Sequence, residues 1–159
     1  MKRFGVAYFT KLLLVIAAVS LSSGCAIKSV ASYDETTDKN ITALQRKFET
    51  FLIGLQAKEG LPECAFSQNA AFYNEAKVDL SSIKVRTEAI PKNDLTNEQL
   101  SLLTSSLNNL EMLHRVKDKK SKSGGELKCM SADEITPLRS AFNSSFTAIL
   151  KLELAKKRN

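Results

Sequence analysis

The chain has 159 residues, of which 25% are charged and 43% hydrophobic, with a formal net charge of +6. Residues 1–24 hold three of the 23 basic residues and no acidic one, so the remaining 135 carry 20 basic and 17 acidic residues, a net charge of +3. So small a charge argues against nucleic acid as a partner. The absence of Trp argues against the flat aromatic platforms on which bases and sugars stack.

The N-terminus has the layout of a secretion signal. Lys2, Arg3 and Lys11 form a basic start, and an apolar run, LLLVIAAVSL, occupies positions 12–21. A run of about ten residues is half of the roughly 20 that a membrane-spanning helix needs, so it is typical of a signal peptide rather than of a permanent anchor. We therefore predict a signal peptide over residues 1–24.

Three small residues, Ser22-Ser23-Gly24, lead directly into Cys25. This junction resembles the lipobox of bacterial lipoproteins. The resemblance implies that the Cys25 thiol carries a diacylglycerol, that a fatty acyl chain such as palmitate is added to the new amino group, and that the membrane is a partner through this lipid. Ala26, where an inner-membrane retention signal of enteric bacteria would have Asp, favours the outer membrane, with the domain facing the periplasm. The alternative is ordinary secretion with a free Cys25 thiol.

Lipidation of Cys25 would account for the odd number of cysteines. The chain has three, and Cys64 and Cys129 then remain as a pair in a compartment that permits disulfides. We predict that these two residues form a disulfide.

Beyond a short lipidated tether, residues 25–33, apolar residues recur every three or four positions, the period of an amphipathic helix. Residues 34–159 are predicted to form one helical bundle domain. The first helix is predicted over residues 33–58 and the second over 65–89, where Pro91 ends it. Their apolar stripes are Ile41, Leu44, Phe48, Phe51, Leu52 and Leu55 in the first, and Phe66, Tyr73, Ala76, Leu80 and Ile83 in the second.

The third and fourth helices each open with a predicted capping box. Thr96 with Gln99 starts the third helix, which gives way to a polar loop from about Val116, and Ser131 with Glu134 starts the fourth. Their apolar stripes are Leu100, Leu103, Leu107, Leu110 and Leu113 or His114 in the third, and Ile135, Leu138, Phe142, Phe146, Ile149 and Leu152 or Glu153 in the fourth.

These elements predict an all-α fold, a four-helix up-down-up-down bundle closed by one disulfide. No stretch shows a sustained period of two, so no sheet is expected. In such a bundle the second and fourth helices start at the same end, which brings Cys64 and Cys129 within reach of each other. Closing this long loop should stabilise the fold by about 4 kcal/mol on the chain-entropy model.

Two basic clusters are predicted at opposite ends of the bundle. The cluster away from the membrane lies in the loop after the third helix and consists of Arg115, Lys117, Lys119, Lys120 and Lys122. It could contact an anionic partner, and the alternative is a merely solvated loop. The cluster near the membrane consists of Lys156, Lys157 and Arg158. It either faces anionic head groups or complements the dipole of the last helix.

Few residues have the spacing that chemistry requires. Glu111 and His114 have the E-x-x-H spacing of di-iron bundles, but such a site needs a second pair and the chain has a single His. A nucleophilic Ser or Cys would depend on the same His114 as its base. Gly124-Gly125 lacks the flanking strand and helix of a phosphate-binding loop. We expect no metal, no cofactor and no enzymatic activity.

The combined patterns favour a lipid-anchored protein that acts by binding, as an accessory or scaffold subunit of an envelope assembly. One alternative is an immunity or inhibitor lipoprotein that neutralises a periplasmic toxin or hydrolase. Another is a carrier whose bundle opens around a lipid-like ligand. No residue pattern identifies the partner.

Overall fold

Four α-helices make up most of the chain that the computed structural model describes, which is residues 30–124 and 129–158 without the side chains of 119–124. Helix α1 spans Glu35–Ala57, α2 Phe66–Glu88, α3 Asp94–Gly124 and α4 Ala132–Lys156, and a short 3₁₀ helix, Pro62–Cys64, precedes α2. These described ranges contain no strand. None of their helices combines the length and the apolar character needed to cross a membrane.

The helices form a ring in which each packs against two neighbours. Helix α1 lies against α2 and α4, and α3 lies against the same two helices. Because the connections are short, consecutive helices run in opposite directions. The predicted four-helix bundle is therefore confirmed. We call the end where α1 and α3 terminate the distal end, and the opposite end, where the described chain starts at Val30, the proximal end.

The four apolar stripes meet in the core with the predicted periodicity. The ring of Phe48 on α1 has its centroid 5.3 Å from that of Phe72, 4.8 Å from Phe142 and 5.3 Å from Phe146. Phe51 stacks on Phe72 with centroids 3.6 Å apart. Each such pair contributes about 0.5–1.5 kcal/mol beyond simple burial. One aromatic cluster therefore joins α1 to both of its neighbours.

The sequence patterns left two core positions open between a leucine and a polar residue, and in both cases the polar residue is the buried one. His114 is fully buried while Leu113 is only partly so, and Glu153 is buried while Leu152 is only partly so. Burying a polar group without a hydrogen-bond partner costs about 1–3 kcal/mol. The bundle must therefore supply hydrogen-bond partners for His114 at the distal end and for Glu153 at the proximal end.

Two side-chain caps start helices as the propensities of Asp and Ser predict. Asp34 accepts a hydrogen bond from the Thr37 N–H at 3.0 Å and so caps α1. The Asp34 carboxylate also accepts two hydrogen bonds from the Arg86 guanidinium of α2, at 2.5 and 2.7 Å. These bonds hold the pKa of Asp34 well below its usual value. At α4, Ser131 and Glu134 form both bonds of the predicted capping box.

The capping box predicted at Thr96 and Gln99 is wrong. Helix α3 already begins at Asp94, and Thr96 lies fully buried in its first turn. The Thr96 hydroxyl donates to the Glu153 carboxylate of α4 at 2.7 Å. The Thr96 hydroxyl therefore bonds the buried Glu153 carboxylate of a neighbouring helix instead of capping α3.

The polar loop predicted after about Val116 is also wrong in its first part. The backbone continues as α-helix to Gly124. Lys and Arg are good helix formers, and basic residues near a helix C-terminus interact favourably with its dipole. The basic segment therefore extends α3 instead of interrupting it.

Lys156, one of the three basic residues predicted either to face head groups or to complement the dipole of the last helix, is buried. Its ammonium group donates to Thr96 Oγ1 at 2.8 Å, to Asn93 Oδ1 and to the Glu153 carboxylate. The Asn93 side chain in turn donates to the Thr87 carbonyl at 3.0 Å. This proximal polar network ties the end of α4 to the connection between α2 and α3.

We expect Lys156→Met to lower the free energy of unfolding by about 3–5 kcal/mol, because the substitution leaves the buried Glu153 carboxylate without its counter-charge. The double variant Lys156→Met, Glu153→Leu should recover most of that loss. Urea denaturation of the three proteins measures both effects. A loss of less than about 1 kcal/mol in the single variant would contradict a buried ion pair.

Candidate functional site

The distal end holds the predicted cysteine pair. Cys64 ends the 3₁₀ helix, Cys129 stands just before α4, and their Cα atoms are 5.5 Å apart. This separation lies within the usual range for a disulfide. The structure thus supports the predicted pairing, whereas Cys25, the predicted lipidation site, lies outside the described residues.

The single histidine is buried beneath this cysteine pair. His114 Nε2 lies 2.7 Å from the Cys64 carbonyl oxygen, and Nδ1 lies 2.8 Å from the Tyr73 hydroxyl. Because a carbonyl can only accept, Nε2 carries the proton and Nδ1 accepts from Tyr73. Burial lowers the pKa of His114 below 6.5, opposed in part by the Cys64 carbonyl and by Asp118. The histidine is therefore neutral at pH 7.

Glu111, the other member of the E-x-x-H pattern, is held by cations. Its carboxylate accepts from Arg115 at 3.0 and 2.6 Å and forms an ion pair with Lys77 of α2. Burial raises the pKa of Glu111, but these bonds outweigh burial and leave it below the usual value. Both nitrogens of His114 are also engaged. Among the described residues, no three His, Cys, Asp or Glu side chains are grouped to hold a metal.

The five basic residues predicted to meet an anionic partner divide into two groups. The Arg115 guanidinium lies 3.9 Å from the centroid of the Phe66 ring besides pairing with Glu111, and Lys117 forms an ion pair with Glu134 at 2.6 Å. These two side chains therefore have structural roles. Lys119, Lys120 and Lys122 lie on the helical backbone of α3, and their side chains lie outside the described part of the chain.

The end of α3 concentrates positive charge. Residues 115–122 contain five basic residues and one acidic residue, a net charge of +4. The ten residues from 115 to 124 are helical and would rise about 15 Å beyond His114, which is level with Cys64. We call this segment, residues 115–124, the basic extension.

Two features of the site had no signal in the sequence. Tyr73 and His114 are 41 positions apart, and Lys77 and Glu111 are 34 apart. Each lies at an ordinary position of its helix, so only the packing of α2 against α3 brings the partners together. The buried Tyr73 could be assigned to the core from its stripe, but its hydrogen-bond partner could not.

Comparisons with protein-family models, with curated proteins and with solved structures found no match to this chain.

We expect the free energy of unfolding to fall as the pH decreases from 7 to about 5.5. Folding lowers the pKa of His114, so as the pH falls the unfolded chain protonates this residue before the folded chain does. Each pH unit over which only the unfolded chain is protonated lowers the free energy of unfolding by up to about 1.4 kcal/mol. As the chain has one His, His114→Gln should flatten the dependence, although the variant is less stable at pH 7. Denaturant titrations at several pH values measure it, and equal slopes in both proteins would contradict a buried neutral histidine.

We expect the double variant Cys64→Ala, Cys129→Ala to lose about 4 kcal/mol of unfolding free energy, because the disulfide closes a loop with a sequence separation of 65. Reduction of the native protein should give a similar loss. Denaturation with and without reductant measures it. Two titratable thiols in the non-reduced, denatured protein would show that the bond is absent.

Proposed function

We propose that this protein is a lipid-anchored envelope protein that acts by binding, as an accessory or scaffold subunit of an envelope assembly on the periplasmic side of the outer membrane. The anchor is proposed from the signal-like N-terminus and the lipobox resemblance at Cys25. The observation that carries the binding role is the location of the basic extension at the bundle end opposite to the one where the described chain begins.

The chain enters the bundle at the proximal end, so a lipid on Cys25 would lie nearest to that end. Ala31 is buried against the bundle, and Lys157 Nζ at the end of α4 lies 5.3 Å from the Tyr33 ring. From Cys25 to Ala31 there are six residues, which span at most about 20 Å even when extended. A lipid on Cys25 would therefore keep the proximal end close to the bilayer.

The distal end would then be presented to the periplasm. Helix α1 has 23 residues and is about 35 Å long, so the basic extension would stand about that far from the lipid surface. Anchoring confines the domain to a surface and raises its effective concentration towards an anchored partner. Weak contacts at the distal end could then suffice for assembly.

The partner is proposed to be acidic at its contact surface. Arg115 and Lys117 already have partners in the bundle. The rest of the basic extension has three lysines and one acidic residue, Asp118, so a net charge of +2 remains. Exposed cations steer association with an oppositely charged surface and set its salt dependence. We assign the docking role to Lys119, Lys120 and Lys122.

We expect the triple variant Lys119→Gln, Lys120→Gln, Lys122→Gln to lose most crosslinking to envelope partners in cells, because it removes three of five cations from the basic extension. A matched control, Lys39→Gln, Lys84→Gln, Lys151→Gln, makes the same charge change on the body of the bundle and should retain it. Crosslinking of tagged full-length protein followed by mass spectrometry measures both.

The same experiment with Cys25→Ser tests the anchor. We expect this variant to lose the lipid mass and its membrane association, and with them the anchor-dependent partners. Membrane binding with an unmodified mass would contradict the anchor. A partner that proves to be a toxin or a hydrolase would favour the inhibitor alternative over the scaffold.

A further inference from the structure

Four segments at the proximal end each carry an exposed aliphatic side chain. Val30 on the entering segment is 41% exposed, Val85 on α2 67%, Leu95 on α3 64% and Leu154 on α4 49%. Val85, Leu95 and Leu154 each lie within three residues of a helix end, which is about 5 Å along the helix axis. We call these four side chains the proximal apolar set.

A surface groove adjoins this set. It lies between the entering segment and the end of α2 and has a volume of about 540 Å³. Its apolar lining consists of Val85, Ala89, Ile90 and Tyr33, and its polar lining includes the Asp34–Arg86 ion pair. Tyr33 also contacts Lys157. Tyr and Lys are suited to a membrane interface, because each has an apolar body and a polar tip that can remain in water.

The charges at the proximal end nearly cancel. Residues 30–39, 84–98 and 151–158 contain eight basic and seven acidic residues, a net charge of +1. Four of the acidic side chains form ion pairs within this end; the pairs are Asp34–Arg86, Glu35–Lys39, Glu88–Lys84 and Glu153–Lys156. Balanced charge gives this end little attraction to a charged surface and little repulsion from one. Its apolar side chains therefore decide what it contacts.

The short tether decides which surface can cover this end. The inference rests on the proposed lipid on Cys25, which the chain holds within about 20 Å of Ala31. A folded domain of about 100 residues has a radius of gyration of about 13 Å, so a gap of that width leaves little room for a folded partner. The bilayer itself is therefore the surface that meets the proximal apolar set.

We propose that the proximal apolar set inserts into the head-group region of the bilayer and holds the bundle upright on it. Amphipathic elements bury apolar side chains about 5–10 Å into this boundary, a depth that reaches Val85, Leu95 and Leu154 from the helix ends. Because the four side chains stand on different segments, all four can insert together only when the bundle axis stands along the membrane normal. The lipid alone would let the bundle swing, whereas this contact directs the basic extension away from the membrane.

The chain offers two matched pairs of residues for measuring depth. Leu95 and Leu102 on α3 are 64% and 56% exposed, and Val85 and Val78 on α2 are 67% and 68% exposed. The members of each pair are seven residues apart, so they lie on one face of their helix but differ in height by about 10 Å. Leu95 and Val85 belong to the proximal apolar set, and Leu102 and Val78 do not.

The first test places a fluorophore at each of these positions in the lipidated full chain, through Leu95→Cys, Leu102→Cys, Val85→Cys or Val78→Cys. The protein is inserted into phosphatidylcholine vesicles that contain lipid spin-labelled near the head group, in about 0.3 M NaCl to screen the basic extension. We expect quenching to be at least about twofold stronger at 95 and 85 than at their partners. Equal quenching within the pairs would overturn the upright contact, because the bundle then either stands clear of the bilayer or lies on its side.

A second test does not depend on the anchor. Residues 25–159 with Cys25→Ser include the whole described bundle and should bind the same vesicles more weakly than the roughly 10⁴ M⁻¹ of one myristoyl chain. Val85→Asp with Leu95→Asp should lower this binding about tenfold or more, and the control Val78→Asp with Leu102→Asp should not. Absence of binding, or equal losses in the two double variants, would overturn the proposal. A full chain that acquires no lipid would contradict the proposed function instead, and the second test would still decide the membrane contact.

Discussion

The burial of four apolar helix stripes against one another is the constraint on which the other features of this protein depend. Apolar residues at every third or fourth position give each helix an apolar face about 100° wide, which is enough to contact two neighbours, and short connections make those neighbours antiparallel. This arrangement alone decides that Cys64 and Cys129 share one end while Lys156 lies at the other. The aromatic contacts of Phe48 and Phe51 then lock α1 against α2 and α4.

Each end of the core is completed by a buried polar group. His114 bonds Tyr73 and the Cys64 carbonyl at the distal end, and Lys156 bonds Glu153, Thr96 and Asn93 at the proximal end. Such groups tolerate few alternative arrangements, because sliding a helix by one turn would leave them unpaired in a low-dielectric interior. We infer that they set the register of α3 against α2 and α4 more strictly than the leucines could.

Charged residues are distributed unevenly over the surface of the bundle. Ion pairs such as Lys47 with Asp79 bridge α1 and α2, whereas residues 99–110 of α3 and 140–150 of α4 contain no Asp, Glu, Lys or Arg. Exposed ion pairs contribute little to stability but repel unmatched surfaces. The uncharged stretches of α3 and α4 and the basic extension therefore differ in chemistry, and it is the basic extension that is proposed to contact an acidic partner.

Local patterns were enough to predict the helices, their core stripes, the bundle and the pairing of Cys64 with Cys129, because helical periodicity and chain connectivity act over short distances and leave few ways to bury the stripes. The same patterns misplaced the start of α3 and made the basic extension a loop. The two errors have different causes. Thr96 was assigned to a cap from its neighbours in sequence, whereas the Glu153 carboxylate of a distant helix binds its hydroxyl. The lysines after Val116 were assigned to a loop because they are polar, although Lys has a good intrinsic helix propensity.

What the sequence determined by itself is the fold class, because the spacing of apolar residues fixes the helices and leaves few ways to pack them; the signal peptide and the lipid on Cys25 stay predictions. Only the tertiary structure decided which polar side chains form hydrogen bonds and ion pairs within the bundle. His114, Glu111 and Lys156 resembled ligands or surface charges, yet each is bonded to residues on other helices. The physical reason is that a polar side chain is free to bind a ligand only if no partner lies within hydrogen-bond distance, about 3 Å. In a bundle those partners come from distant parts of the chain.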